Sequence, residues 1–561
     1  MDASSDCPTC LKCLDPYPEH CLPCGHVICS VCLKAVGDSM DGGFFELKQC
    51  PLLIERRCKD WSEPWIGVIK PDQAGIRILS LDGGGTRGIV ELRILGRIQQ
   101  QLGPVPLRDF FDLIVGTSSG GIIACGLGPG DMSIEECTTM FEKLSREAFS
   151  AWTAQKFATT GEERDWKPGY PENRPLDDAC RRAFSENHKL FGGTTKSAPK
   201  VAVTAITIMA LRDRVTLLGN YNRKPSSSEL YKFQRPLPDR ALCVWEAARA
   251  TSASLMTYSF FLHKKGKVRV YLDGGFWNNN PIRIADEESR AIWPETKSRH
   301  PDLVLSIGAG YHKAESSMTE LGRRASEQMK AEGRFVALSD NPVAEKNIGH
   351  LFKQATRHFK INKHDWHEWL RDQLEDGDKD GRRYRRLTVR LPVLVEMDDA
   401  SQEARDVCHG AVDGMNTSLF AEVADRLIAS AFFLQFGAEN MVKLPDGGFE
   451  VTGNILCRLQ PRNISLLGER FDNICKETSD FRPHFWVRER HSKAARIVPI
   501  DAAVVNGMKE GRFRIGLKID VSSAVAETEI VLVLCVNGYA ANISAFPRKL
   551  LCDYDVDKVK E

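Results

Sequence analysis

Between residues 75 and 315 the chain is punctuated by apolar runs, "IRILSLD", "FFDLIVG", "KVAVTAITI", "VRVYLDGG" and "DLVLSIGAG", with helical patterns between them. β-rich runs alternating with helical patterns predict an α/β layered domain with a mostly parallel sheet. Residues 316–440 are charged and helix-prone, as in "SMTELGRRASEQMKAEGRFVAL", and predict a helical extension. From 441 to 561 the period shifts to two, in "GFEVTGNILCRL" and "RFRIGLKIDV", which predicts a small β-sandwich. Residues 1–62 are too few to bury a good core without a staple, and "DWSEPWIGVIKPDQAG" reads as a linker behind them.

At 561 residues several domains are expected, and 42% hydrophobic content is ordinary for globular protein. A net charge of +1 removes any compositional argument for nucleic acid. The N-terminus "MDASSDCPTC" has no basic or apolar leader, and no stretch is apolar enough to span a bilayer. The expectation is a soluble cytoplasmic protein. Of its 18 cysteines, nine precede residue 60, and such crowding without a secretory signal favours metal over disulfides.

Two glycine turns carry the candidate chemistry. In "ILSLDGGGTRGIVEL", Gly83, Gly85 and Gly88 make G-x-G-x-x-G between a strand and a helix. Such a loop could cradle a dinucleotide pyrophosphate, or aim backbone N–H groups at the oxyanion of a scissile ester. Asp109, about 20 residues on, keeps the dinucleotide reading open. In "DLIVGTSSGGIIACGLG", Gly116-Thr117-Ser118-Ser119-Gly120 is G-x-S-x-G in the strand–turn–helix setting of a nucleophile elbow. A serine needs a base, and no histidine after Ser118 stands in an obvious catalytic setting. Asp273, ending a β-run before Gly274 and Gly275, is the alternative, against the commoner reading of a turn aspartate.

Taken together, D-G-G-G-x-R-G at Asp82–Gly88, G-T-S-S-G-G at Gly116–Gly121, D-G-G at Asp273–Gly275, "WEAARATSASLMTY" and "NNNP" resemble the patatin-like phospholipase family over about residues 75–310. The resemblance implies a three-layer α/β/α fold and a Ser118–Asp273 dyad. It implies an oxyanion hole from Gly83, Gly84 and Gly85, with Arg87 orienting that loop or drawing an anionic head group. The substrate would be a phospholipid, lysophospholipid or acylglycerol, cleaved without calcium or any catalytic cofactor. Peripheral membrane contact follows, through the β domain or apolar residues such as Leu255, Met256 and Phe260–Phe261, for which a core role is the equal alternative.

The head, "CLKCLDPYPEHCLPCGHVICSVC", pairs soft ligands at the turn spacing of tetrahedral zinc. It resembles a RING finger, which implies Cys10, Cys13, Cys29 and Cys32 on one zinc and Cys24, His26, Cys50 and Cys58 on a second. Cys50 and Cys58 stand farther apart than that pattern has them, and the spare Cys7 and Cys21 allow a shifted register. The zinc head would dock a protein partner. The alternative function is a RING-type ubiquitin ligase whose patatin-like part senses lipid.

Overall fold

The head is built from small antiparallel pieces. Strands β1 (His20–Cys21) and β2 (Val27–Ile28) form a hairpin, helix α1 (Ser30–Val36) follows, and β3 (Asp38–Met40), β4 (Phe44–Leu47) and β5 (Trp65–Val68) make a three-stranded sheet. Its core is Leu22, Ile28, Leu33, Leu47 and Trp65 interleaved with buried cysteines. β5 lies inside the stretch read as a linker and pairs with β4, Leu47 opposite Trp65, so the head's sheet continues past residue 62. The head also rests on the rest of the chain: Arg235 donates to the Pro16 carbonyl and stacks 4.3 Å from the Tyr17 ring.

The computed structural model describes residues 9–53, 56–59, 61–158, 174–192, 199–208, 214–228, 230–237, 241–253, 260–265, 268–312, 365–375, 383–478, 481–490, 492, 494–535, 538–552 and 554. At its centre is a nine-stranded sheet. It contains β6 (Arg77–Leu81), β7 (Leu113–Thr117), β8 (Lys200–Ile208), β9 (Arg214–Gly219), β10 (Lys232–Gln234), β11 (Phe261–His263), β12 (Arg269–Asp273), β13 (Leu303–Ile307) and β14 (Tyr384–Leu387). Strands β8, β7, β6, β13 and β14 run parallel, while β9 and β12 run antiparallel to β8. The sheet is therefore mixed on the β8 side, where the apolar pattern alone predicted mostly parallel pairing.

Burial on both faces explains the continuous apolar runs. Leu79, Leu81, Ile114, Val203, Leu305 and Ile307 join one core cluster. Ile78, Leu113, Val115, Ala202 and Val304 join another on the opposite face. Helices α2 (Gly88–Leu102), α3 (Ser119–Leu127), α4 (Ile134–Ala158), α5 (Arg174–Phe184) and α6 (Val244–Thr251) contribute to the first. The short α7 (Gly275–Asn278) follows β12, and α8 (Ile282–Ile292) with the helix Asp365–Glu375 covers the second face. This is an α/β/α layering.

Two departures concern the stretch after residue 315. Much of the expected helical extension, including "SMTELGRRASEQMKAEGRFVAL", lies outside the described residues. Within the rest, β14 joins the central sheet in parallel with β13, and helices Gln402–Asp413 and Thr417–Ala429 follow. The C-terminal part has two antiparallel sheets, as period two suggested, but helices Pro461–Glu477 and Ala502–Lys509 accompany them, so it is not a plain sandwich. Phe432 joins Phe471 of the first of these helices to Phe485 and Phe513 in one aromatic core.

Candidate functional site

The register of β8 creates the site. Residues Lys200–Thr204 pair with β7, which ends at Thr117 opposite Thr204. Residues Ala205–Ile208 pair with β12, which runs the other way and ends at Asp273 opposite Ala205. Strand β9 occupies the opposite edge of β8 along Ala202–Thr207, so β7 and β12 must share one edge and approach each other end to end. Ser118 and Asp273 meet where they stop: Ser118 Oγ donates to Asp273 Oδ2 at 2.7 Å.

Ser118 has φ +53° and ψ −120°, a left-handed conformation that side chains adopt only when the surroundings enforce it. The small neighbours are part of that enforcement. A Cβ at Gly116 would stand 2.2 Å from the Gly120 carbonyl, and one at Gly120 would stand 2.5 Å from the Asp82 carbonyl. Thr251 completes the support, accepting the Ser118 N–H at 2.9 Å and donating to the Thr204 carbonyl at 2.7 Å. Thr251 lies in the quoted stretch "WEAARATSASLMTY", but only the fold reveals this contact.

Asp273 is buried, and its second oxygen accepts the Gly275 N–H at 2.7 Å. Burial pushes its carboxyl up to about 6, against the pull of the Gly275 N–H, the Ser118 hydroxyl and the Arg249 charge. Gly274 must lack a side chain, because a Cβ there would lie 2.1 Å from Thr204 Oγ1. A hydroxyl hydrogen-bonded to a carboxylate of near-neutral affinity is equipped to surrender its proton.

The glycine loop lies beside the serine, with the Cβ position of Gly83 3.2 Å from Ser118 Cβ. Its N–H groups, however, are not all free to face an oxyanion. Gly83 donates to the Asn279 carbonyl at 2.9 Å and Gly84 to Ser119 Oγ at 2.9 Å. Gly85 has φ +59°, and a Cβ there would stand 2.1 Å from the Met397 carbonyl, which accepts the Thr86 N–H at 2.8 Å. Gly88 opens α2, where a Cβ would crowd Phe141 at 2.6 Å. The N–H of Ser119, at the first turn of α3, has no intrahelical acceptor and adjoins Ser118; the motif reading passed over it.

Arg87 is buried rather than presented to a head group. Burial pushes the Cys408 thiol up to about 11, and the Arg87 guanidinium acts against that shift, which places Arg87 toward the helix Gln402–Asp413. The dinucleotide alternative loses its ribose partner, since Asp109 accepts the Asn463 amide at 2.7 Å. Among the apolar candidates for membrane contact, Leu255 and Met256 lie outside the described residues. Phe261 is core, its ring 5.8 Å from that of Trp245.

In the head two four-residue sets converge: Cys10, Cys13, Cys29 and Cys32, and Cys24, His26, Cys50 and Cys58, each with ligand atoms within 4.8 Å of one another. Cys13 Sγ and Cys29 Sγ stand 3.5 Å apart, and His26 Nδ1 is 3.4 Å from the sulfurs of both Cys24 and Cys58. Those spacings fit the edges of a tetrahedron with arms of about 2.0–2.3 Å, the geometry of zinc. Cys21 belongs to neither set and faces Gly192, and Cys7 lies outside the described residues. No helix among the described residues is long and apolar enough to cross a membrane.

Residues 79–286 match the model of the patatin-like phospholipases. Calcium-independent phospholipase A2-gamma of Homo sapiens is 28% identical over 252 residues, spanning 45% of this chain and 30% of that protein. Phospholipase A I of Arabidopsis thaliana is 26% identical over 283 residues, 42% of this chain and 21% of that one. The chain thus spans less than a third of the length of either relative. Among solved structures, VipD from Legionella pneumophila is 10% identical over 67% of this chain and 71% of that one, at a TM-score of 0.24, too distant to argue from.

Proposed function

We propose that this protein is a serine lipid acyl hydrolase of the phospholipase A or lysophospholipase type, using Ser118 as nucleophile and Asp273 as general base. The observation that carries the reading is the 2.7 Å hydrogen bond from a strained serine to a buried carboxylate, inside a stretch matching the patatin-like phospholipases. Ser118 Oγ attacks the acyl carbonyl as its proton passes to Asp273. The oxyanion is met by the Ser119 N–H and by the glycine loop, once the contacts of Gly83 and Gly84 yield to substrate. Collapse of the tetrahedral intermediate expels the alcohol, which takes the proton from Asp273. Water, deprotonated by Asp273, then attacks the acyl-enzyme and the fatty acid leaves. One backbone donor of this kind is typically worth about 3 kcal/mol of barrier.

Hydrolysis needs no calcium, as the human relative's name states of that protein. The action on membrane lipid is peripheral. The two sets in the head would hold zinc as structural crosslinks, their thiolate and imidazole donors being the ones zinc prefers, and the head would serve as a protein-docking module.

Fluorophosphonate labelling tests the nucleophile. We expect the wild type to label and Ser118→Ala to remain unlabelled; a folded wild type that stays unlabelled would remove the hydrolase reading. A second test uses pH. The base works only when ionised, so kcat/KM for a soluble ester should be level above the Asp273 value of about 6 and fall about tenfold per pH unit below it. A profile flat from pH 7 to 4.5 would exclude Asp273 as the base.

A further inference from the structure

Strand β14 and the turn after it lie beyond residues 79–286, yet they grip the glycine loop from beneath. Arg386, on β14, donates from Nη1 to Asp82 Oδ1 at 2.8 Å and to Ser306 Oγ at 2.6 Å, and its Nη2 meets Asp82 Oδ2. Asp82 is the residue at which β6 gives way to the loop, and it is buried.

The backbone of Asp82 is a junction. Its N–H is shared between Glu91 Oε1 at 2.8 Å and the Ile307 carbonyl at 3.1 Å. Its carbonyl accepts the N–H of Gly120, two residues past Ser118, at 3.1 Å. Burial, with the Asp82 charge beside it, pushes the Glu91 carboxyl well up. The same segment reaches the far end of the loop through the Thr86 N–H and the Met397 carbonyl. A two-pronged guanidinium contact fixes both distance and plane of a carboxylate, which a point charge does not.

We propose that Arg386 is a positioning residue for ester hydrolysis: through Asp82 it fixes the start of the glycine loop and, through the Asp82–Gly120 hydrogen bond, the turn that aims Ser118. The proposal rests on the reading of Ser118 as nucleophile. Arg386 touches neither substrate nor reacting atoms; its effect is on geometry, so it belongs in kcat rather than KM.

The test compares full-length wild type, Arg386→Ala, Arg386→Lys and Ser118→Ala in melting, fluorophosphonate labelling rate and steady-state hydrolysis of a soluble p-nitrophenyl ester. A displacement of about 1 Å can cost on the order of 100-fold, so Arg386→Ala should lose about that much kcat with KM altered by less than about threefold. Arg386→Lys should recover part of the loss. A cooperatively melting Arg386→Ala protein with kcat within about twofold of wild type overturns the proposal, as does a raised KM at unchanged kcat, or a Lys variant no better than Ala. If Arg386→Ala does not fold, Arg386→Lys decides alone: reduced kcat at constant KM supports the proposal, and wild-type kcat overturns it. Hydrolysis that survives Ser118→Ala would bring down the Ser118 reading, a failure seen in that control and not in the Arg386 variants.

Discussion

Asp273→Asn is expected to lower kcat on ester substrates by on the order of 10,000-fold while leaving the protein at least as stable as wild type. The amide is nearly isosteric and its oxygen can still take the Gly275 N–H, so the turn after β12 should survive. What faces Ser118 Oγ then is an N–H donor, and the serine has nowhere to send its proton. Stability moves the other way for a stated reason. Burial raises the Asp273 carboxyl from 3.8 to about 6, so at pH 7 the folded state carries an ionised carboxylate it would rather protonate. Some two pH units at 1.36 kcal/mol each make that a cost of about 3 kcal/mol, present above pH 6 and relieved as pH falls from there toward 4. A neutral amide does not carry it. Turnover and melting temperature at pH 7 check both halves; a folded Asp273→Asn protein within tenfold of wild-type kcat would end the role proposed for this residue.

Removing metal from the head should have an effect of comparable size on structure. The sulfur atoms of Cys10, Cys50 and Cys58 are fully buried, and the apolar side chains around them are few. Structural zinc in small peptides contributes about 10–16 kcal/mol of apparent binding energy, much more than that core could supply unaided. We expect about two zinc ions per chain by elemental analysis, about one after Cys58→Ser, and rapid proteolysis within residues 9–53 after chelation. Purified intact chain without bound metal would refute the assignment of both sets.

The parts legible in the sequence were those where local chemistry leaves little choice. Runs such as Leu113–Thr117 are apolar throughout because both sheet faces are covered, and Gly116 and Gly120 are small because backbone stands where a Cβ would be. Asp273 was legible as a candidate base from its place at the end of a β-run, but its pairing with Ser118 was implied only by family resemblance. It depends on the register along β8, which joins segments more than 150 residues apart and leaves no local mark. Strand β14 was hidden for another reason. "YRRL" looks like an exposed charged stretch, but Arg385 and Arg386 are neutralised by Glu422 and Asp82, so pairing rather than apolarity admits them to the sheet. The helix at Pro461–Glu477 did carry a signal, a proline at its start, that the surrounding period-two pattern masked.

The pairing of β4 with β5 has a practical consequence for dissecting the chain. Cutting at residue 60 would remove β4 and leave Trp65–Val68 with its ladder of N–H and C=O groups and the Trp65 indole uncovered. Such a shortened protein would be prone to self-association through that strand, whatever the head does for lipid hydrolysis. Separating the two questions calls for a cut beyond Val68, taking the strand away together with the sheet that shelters it.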